Sequence, residues 1–95
     1  MSEPLLVERE VEIVNPAGMH ARPAAEFVKV AGRFSSDIRV EKDGLEVNGK
    51  SIMGVLMLAA EMGSRLRVSA EGNDAEDAVD ALSELIGRGF EELKA

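Results

Sequence analysis

The sequence predicts an α+β domain in which three helices cover one face of a four-stranded, antiparallel sheet. Four segments alternate apolar and polar residues, which is typical of strands with one buried face. Three further segments carry a single apolar stripe at helical spacing. The segments follow one another in the order β-α-β-β-α-β-α. A two-layer sandwich is the simplest arrangement that buries every apolar face.

The first strand and the first helix flank a short loop. Glutamates alternate with apolar residues over 7–14, which predicts a strand with one wet face. Residues 15–18 have the composition of a loop, and the helical stripe that follows predicts a helix over 21–33. Gly32 weakens the end of this helix.

The middle of the chain predicts a hairpin and a second helix. Asp43-Gly44 separates two short alternating segments, and this dipeptide favours a two-residue hairpin turn. Ser51 precedes an apolar run over 52–59, so it is predicted to be the N-cap of a helix. Gly63 is predicted to be the C-cap of that helix. The residues predicted to pack into the core from this helix are Val55, Leu58 and Ala59.

A fourth strand and a third helix complete the pattern. Apolar residues alternate with polar ones over 65–70, which predicts the strand. Asn73 and Glu76 have the spacing of a capping box, so Asn73 is predicted to be the N-cap. The apolar stripe over 75–86 is the clearest helical periodicity in the chain.

Length and composition exclude several classes of function. The 95 residues predict one domain over 1–95, and a net charge of −7 with three phenylalanines as the only aromatic residues argues against nucleic-acid binding. The chain has one histidine and no cysteine, so no transition-metal site is expected, and we expect no cofactor. No apolar run approaches the ~20 residues of a spanning helix, and the start resembles no signal peptide. We therefore expect a cytoplasmic protein without membrane insertion.

The candidate functional centre is His20, at the predicted start of the first helix. A helix N-terminus presents unpaired backbone N–H groups and a partial positive charge, which suit a phosphate. Gly18 permits a sharp turn, Arg22 adds a permanent charge, and Pro23 falls where its missing N–H costs nothing. The pattern predicts an anion cradle at Ala21 and Arg22, with a nucleophilic imidazole at its rim. The alternative is a histidine that only caps the helix or lies on the surface.

Two motifs resemble those of the HPr family, the histidine-containing phosphocarriers of the bacterial phosphoenolpyruvate-dependent phosphotransferase system. They are HARPA at residues 20–24 and NGKSIMGV at residues 48–55, and the resemblance covers residues 7–90. It implies an open-faced β-sandwich with sheet order 1-4-2-3. It also implies that enzyme I passes a phosphoryl group to Nδ1 of His20, which passes it to A domains of sugar permeases. Arg22 would hold the phosphoryl oxygens, and the protein would be a relay rather than an enzyme.

The same resemblance implies regulation and docking at the second helix. In members of the family, the serine that matches Ser51 is phosphorylated from ATP by HPr kinase/phosphorylase. The second helix also carries more apolar residues than one buried face would need. Methionine is suited to a surface that must fit several partners. We therefore predict that Met19, Ile52, Met53 and Leu56 form an exposed docking patch for enzyme I and the A domains.

Several features leave the branch of the family open. Ala17 stands where many members have Asn or Ser, and it receives no role. The stretch 18–20 and the tail 89–92 resemble the nitrogen-related branch, which phosphorylates regulatory targets. A regulatory HPr-like protein without phosphotransfer is a further alternative, although such proteins lose the active histidine. The acidic pair at 91–92 is predicted to be either the solvent face of a helix or charges that match its dipole. A monomer is expected of a shuttle with one small docking face.

Overall fold

The computed structural model describes residues 5–92, and its elements follow the predicted order. The predicted single domain over 1–95 thus includes termini that lie outside the described residues. The strands are β1 (Leu6–Glu12), β2 (Asp37–Lys42), β3 (Leu45–Asn48) and β4 (Arg65–Glu71). The helices are α1 (Ala21–Ala31), α2 (Ile52–Met57) and α3 (Ala75–Gly87), and a short 3-10 turn at Gly89–Glu91 follows α3.

The four strands form one antiparallel sheet in the order β1-β4-β2-β3. β4 pairs with β1 on one side and with β2 on the other, and β3 pairs with β2 as the second edge strand of the sheet. In this register Val68 lies between Arg9 of β1 and Val40 of β2. Both the α+β class and the order 1-4-2-3 implied by the resemblance are confirmed.

The helices and the alternating apolar residues of the sheet enclose the core. The largest fully buried side chains include Phe27 of α1, Leu66 of β4, and Leu82 and Ile86 of α3. The polar residues of the strands pair instead with one another: Arg65 contacts Glu10 and Glu12, and Arg67 contacts Glu41. Exposed ion pairs of this kind add little stability, but they leave the outer face of the sheet well solvated.

The ends of α2 differ from the prediction. The helix ends at Met57 because Ala59 adopts a left-handed conformation, with φ of 49°. Ala59 is exposed and Ala60 is buried in its place, so the prediction that Ala59 packs into the core is wrong. The predicted C-cap role of Gly63 is also wrong, because its N–H donates to the carbonyl of Ile13 at 2.7 Å. Gly63 closes a turn against the end of β1.

The N-terminus of α3 is capped from another part of the chain. The N-cap residue is Asp74 rather than Asn73, and its carboxylate makes no bond to its own helix. It accepts instead from the backbone N–H groups of Ser35 and Ser36, at 2.9 and 3.0 Å, and from both hydroxyl groups. The hydroxyl of Ser36 contributes most to lowering the pKa of Asp74 from 3.8 to about 2. Asp74 therefore ties the turn after α1 to the start of α3.

We expect Asp74→Asn to lower the thermal midpoint at pH 7 by about 5 °C, because the serine donors lose their charged acceptor. Since folding lowers the pKa of Asp74, its contribution is present above the unfolded value near 4. It is lost as the pH falls towards about 2. Thermal unfolding followed by circular dichroism at several pH values should show the two proteins converging over this window.

Asp77→Asn is the matched control for this prediction. Asp77 is exposed in the first turn of α3 and shares the helix dipole with Asp74, but it makes no bond to the serines. If both variants lose stability equally, the bonds from Ser35 and Ser36 are not what stabilises this end of α3.

Candidate functional site

His20 is the N-cap residue of α1. Its backbone is extended, with φ of −80° and ψ of −172°, and its carbonyl accepts the first helical bond from Ala24 N–H at 3.0 Å. Its side chain does not cap the helix and is 42% exposed. The imidazole is therefore available at the surface, beside the first turn of α1, whose N–H groups have no helical partner.

The loop that precedes His20 is attached by its backbone to a second loop. Met19 N–H donates to the carbonyl of Ala60 at 2.8 Å, and Gly18 N–H donates to the carbonyl of Asn15 at 3.0 Å. Gly18 has φ of +69°, and a Cβ at this position would lie 2.5 Å from the Ala60 carbonyl oxygen. The sharp turn predicted for Gly18 is present. The close neighbour that requires a glycine is the Ala60 backbone.

Glu92 is a member of the site that the sequence reasoning missed. Its Oε2 lies 2.9 Å from Nε2 of His20, and its Oε1 accepts from Nδ2 of Asn15 at 3.0 Å. Glu92 is only 19% exposed, so the prediction that it faces solvent is wrong. Asn15 is fully buried and also donates to the carbonyl of Gly18 at 2.8 Å. No local pattern could indicate a contact between residues so far apart in the chain.

Several cationic side chains on α1 and beyond its C-terminal end have no carboxylate partner within the described residues. Arg22 lies exposed in the first turn of α1, and Lys50 donates to the carbonyl of Phe34 at 2.7 Å. Elsewhere in the described chain, arginine and lysine side chains form ion pairs, as Arg9 does with Asp80. The described cations that form no ion pair are Arg22, Lys29, Arg33 and Lys50. Arg22 and Lys29 lie on α1, and Arg33 lies just after it. Lys50 lies in the turn before α2.

The exposed apolar residues of α2 differ from the predicted patch. Ile52 is exposed, as is Met53 at 71%, but Leu56 packs partly against the core. Met19 is 4% exposed, so its predicted place in the patch is wrong. The bond from its backbone to Ala60 holds it within the core. The α2 patch, as we use the term below, comprises Ile52, Met53 and Met57.

Ser51 is the N-cap of α2, as its position before the apolar run predicts. Its Oγ accepts from the N–H of Gly54 at 3.0 Å. The residue is partly exposed and follows Lys50, so a modifying group on Oγ would lie between that cation and the α2 patch. Ala17 is exposed and offers no polar group to the site.

The described residues contain no cluster of side chains suited to a metal ion and no enclosed pocket. In the same part of the chain, no helix has both the length and the apolar character needed to cross a membrane. The chemistry of this surface therefore depends on the imidazole, the helix end and the surrounding cations.

Known proteins similar to this chain include both HPr and HPr-like proteins. The family model described as "PTS HPr component phosphorylation site" matches residues 7–88. The HPr-like protein Crh of Halalkalibacterium halodurans is 51% identical, over 81% of this chain and 92% of that protein. The phosphocarrier protein HPr of Cupriavidus necator is 41% identical, over 92% of this chain and 98% of that protein. The crystal structure of HPr-C-His from Thermoanaerobacter tengcongensis matches with a TM-score of 0.89 at 50% identity, covering 93% of this chain and 99% of that chain.

We expect Gly18→Ala to destabilise the protein by about 3 kcal/mol, because the new methyl group adds a clash to the cost of a left-handed backbone. Gly44→Ala is the matched control: Gly44 also has positive φ, but a Cβ there would meet nothing within 4 Å. The control should lose only about 1–2 kcal/mol. Urea unfolding measures both, and equal losses would mean that the close approach to Ala60 is unimportant.

Proposed function

Because this chain belongs to the HPr family of phosphocarrier proteins, we propose that it relays a phosphoryl group through His20. The donor is enzyme I of the phosphotransferase system, and the acceptors are histidine-bearing A domains of sugar permeases. The observation that carries this proposal is the exposed imidazole at the N-terminus of α1. Arg22, in the first turn of that helix, forms no ion pair within the described residues.

The transfer is an exchange between two histidines. The lone pair on Nδ1 of His20 attacks the phosphorus carried by enzyme I, and the electrons of the broken P–N bond return to the donor imidazole. The free N–H groups at Ala21 and Arg22 and the positive end of α1 stabilise the phosphoryl oxygens. The guanidinium of Arg22 adds charge-assisted bonds. The same exchange, run towards an A domain, returns His20 to its starting state, so the protein acts as a carrier and a substrate of other enzymes.

The surface around His20 suits a partner that is both acidic and apolar. The chain as a whole has a net charge of −7, yet Arg22 and Lys29 on α1 and Arg33 just after it have no carboxylate partner among the described residues. The α2 patch adds apolar area next to them. Complementary charge speeds encounter, while apolar contact between anchoring side chains supplies affinity. We propose that enzyme I and the A domains both dock on this face.

Ser51 is proposed as a regulatory site, phosphorylated from ATP by HPr kinase/phosphorylase. A phosphate on a helix N-cap is favourable within the protein itself, because it faces the positive end of α2. It would nevertheless add negative charge between Lys50 and the α2 patch, on the face that we propose meets acidic partners. Phosphorylation of Ser51 would therefore oppose docking.

Two other roles within the family remain as alternatives. The nitrogen-related branch, which phosphorylates regulatory targets, is favoured by the resemblance of the stretch 18–20 and the tail 89–92 to that branch. A regulatory HPr-like protein is favoured by the similarity to a relative named HPr-like protein Crh. The intact and accessible His20 supports phosphotransfer over a purely regulatory role.

We propose that the protein works in the cytoplasm as a monomer. One small face carries both the accepting group and the docking surface, so a single copy suffices. The alternative is a dimer formed through β1, since this strand lies at an open edge of the sheet and edge strands can pair with another chain. Sedimentation equilibrium distinguishes a single copy from a pair.

Incubation with phosphoenolpyruvate and enzyme I should add one phosphoryl group, detected by intact mass. The product should be lost in acid and absent from His20→Ala. We expect Arg22→Ala to accept the group roughly tenfold to a hundredfold more slowly, because it loses a donor to the transferring oxygens. Arg9→Ala is the matched control, since it removes an exposed arginine of β1 that pairs with Asp80 of α3 and lies outside the proposed docking face. Equal rates for wild type and Arg22→Ala would contradict the role of Arg22.

HPr kinase/phosphorylase with ATP should add an acid-stable phosphate that Ser51→Ala cannot take. We also expect Ser51→Asp to slow acceptance from enzyme I, because it places a negative charge on the docking face. Ser51→Asn keeps a good N-cap without charge and should behave as wild type. If Ser51→Asp transfers as fast as Ser51→Asn, charge at this position does not regulate docking.

A further inference from the structure

Glu92 and Asn15 connect the imidazole of His20 to the end of the chain and to the loop before α1. One carboxylate oxygen of Glu92 meets Nε2 of His20 at 2.9 Å, and the other accepts from Nδ2 of Asn15 at 3.0 Å. Nδ2 of Asn15 has two hydrogens, and its second partner is the carbonyl of Gly18 at 2.8 Å. The three residues therefore form one continuous hydrogen-bonded network, which we call the Glu92 clamp.

Both ends of the clamp are held in place by the fold. Asn15 is fully buried, so its amide cannot turn towards solvent. Glu92 follows the 3-10 turn, where its N–H donates to the carbonyl of Gly89 at 2.8 Å and the side chain of Phe90 is buried. Phe90 adopts a left-handed conformation, with φ of 55°, which directs the chain back towards α1. The carboxylate is thus positioned by packing as well as by its hydrogen bonds.

The chemistry of the clamp dictates the state of the ring. An ionised carboxylate only accepts hydrogen bonds, so the proton of the neutral imidazole belongs on Nε2. Nδ1 then carries the lone pair, and no described residue forms a hydrogen bond with it. This is the arrangement that a nucleophilic Nδ1 requires, because a protonated nitrogen cannot attack phosphorus.

We propose that Glu92 is a positioning residue for phosphoryl transfer, an inference that rests on the proposed function of His20. It keeps the proton on Nε2 and orients the ring, while Asn15 orients Glu92. When Nδ1 bonds to phosphorus with its lone pair, the Nε2 proton stays in place and the ring becomes positively charged. The Glu92 carboxylate stabilises that charge and is returned to its starting state when the phosphoryl group leaves.

Three variants separate the parts of this role. Glu92→Gln removes the charge and leaves one acceptor oxygen for two donors, Asn15 Nδ2 and His20 Nε2, whereas Glu92→Ala removes both oxygens. Glu91→Gln is the matched control, because it deletes a neighbouring carboxylate that pairs with Arg88 and contacts neither His20 nor Asn15 in the described structure. Thermal unfolding of all three variants checks that each is folded.

The first measurement is the two-bond proton–nitrogen spectrum of the His20 ring in the unphosphorylated protein. Wild type and Glu91→Gln should show a single tautomer with the proton on Nε2. Glu92→Ala should shift both ring nitrogens towards the averaged values of a tautomer mixture. If Glu92→Ala has the wild-type spectrum, Glu92 does not hold the proton.

The second measurement is the equilibrium of phosphoryl transfer with enzyme I, read by intact mass. Glu92→Gln and Glu92→Ala should hold the phosphoryl group about fivefold less favourably than wild type, because a bond to a charged acceptor is replaced or lost. Glu91→Gln should match wild type. If both Glu92 variants match wild type, the carboxylate does not stabilise the phosphorylated ring.

These outcomes distinguish a failure of the Glu92 clamp from a failure of the proposed function. If wild type takes a phosphoryl group but the Glu92 variants match Glu91→Gln in both measurements, the clamp is wrong and the carrier function stands. If wild type takes no phosphoryl group, the carrier function is wrong, and the role of Glu92 in phosphoryl transfer falls with it.

Discussion

The hydrogen bond from Met19 N–H to the Ala60 carbonyl determines where α1 begins, and the site depends on that position. It joins the loop before His20 to the loop after α2, and it needs Gly18 in a left-handed turn against the Ala60 backbone. Because this contact buries Met19, the next residue emerges at the surface as the N-cap of α1. The imidazole therefore lies beside unpaired backbone N–H groups as a consequence of loop packing.

Charge is distributed unevenly over the two layers of the sandwich. The arginines of the sheet, such as Arg65 and Arg67, are paired with glutamates on neighbouring strands. The cations of α1 have no such partners within the described residues, and they lie near the exposed methionines of α2. An acidic protein can thus have one face that is basic and apolar, since short-range charge outweighs distant charge in a screened solution.

Carboxylates that are distant in sequence complete the ends of both long helices. Asp74 at the start of α3 accepts from Ser35 and Ser36, and Glu92 beyond the end of α3 contacts His20 at the start of α1. The capping-box pattern suggested Asn73 because sequence rules consider only bonds within three or four residues. The prediction that Glu92 faces solvent fails for the same reason. In both cases the group that donates to the carboxylate, a serine or His20, lies outside the helix that precedes or follows that carboxylate.

The sequence alone determined the class of fold and the order of its elements, and it predicted the helix that begins directly after His20. Alternation and helical spacing are local properties, and the position of His20 before a helix can be recognised from its immediate neighbours. Only the tertiary structure decided that Met19 is buried, that Met57 replaces Leu56 in the α2 patch, and that Glu92 meets the imidazole. Those facts depend on which loops pack together, and periodicity in one segment carries no information about its contacts with another.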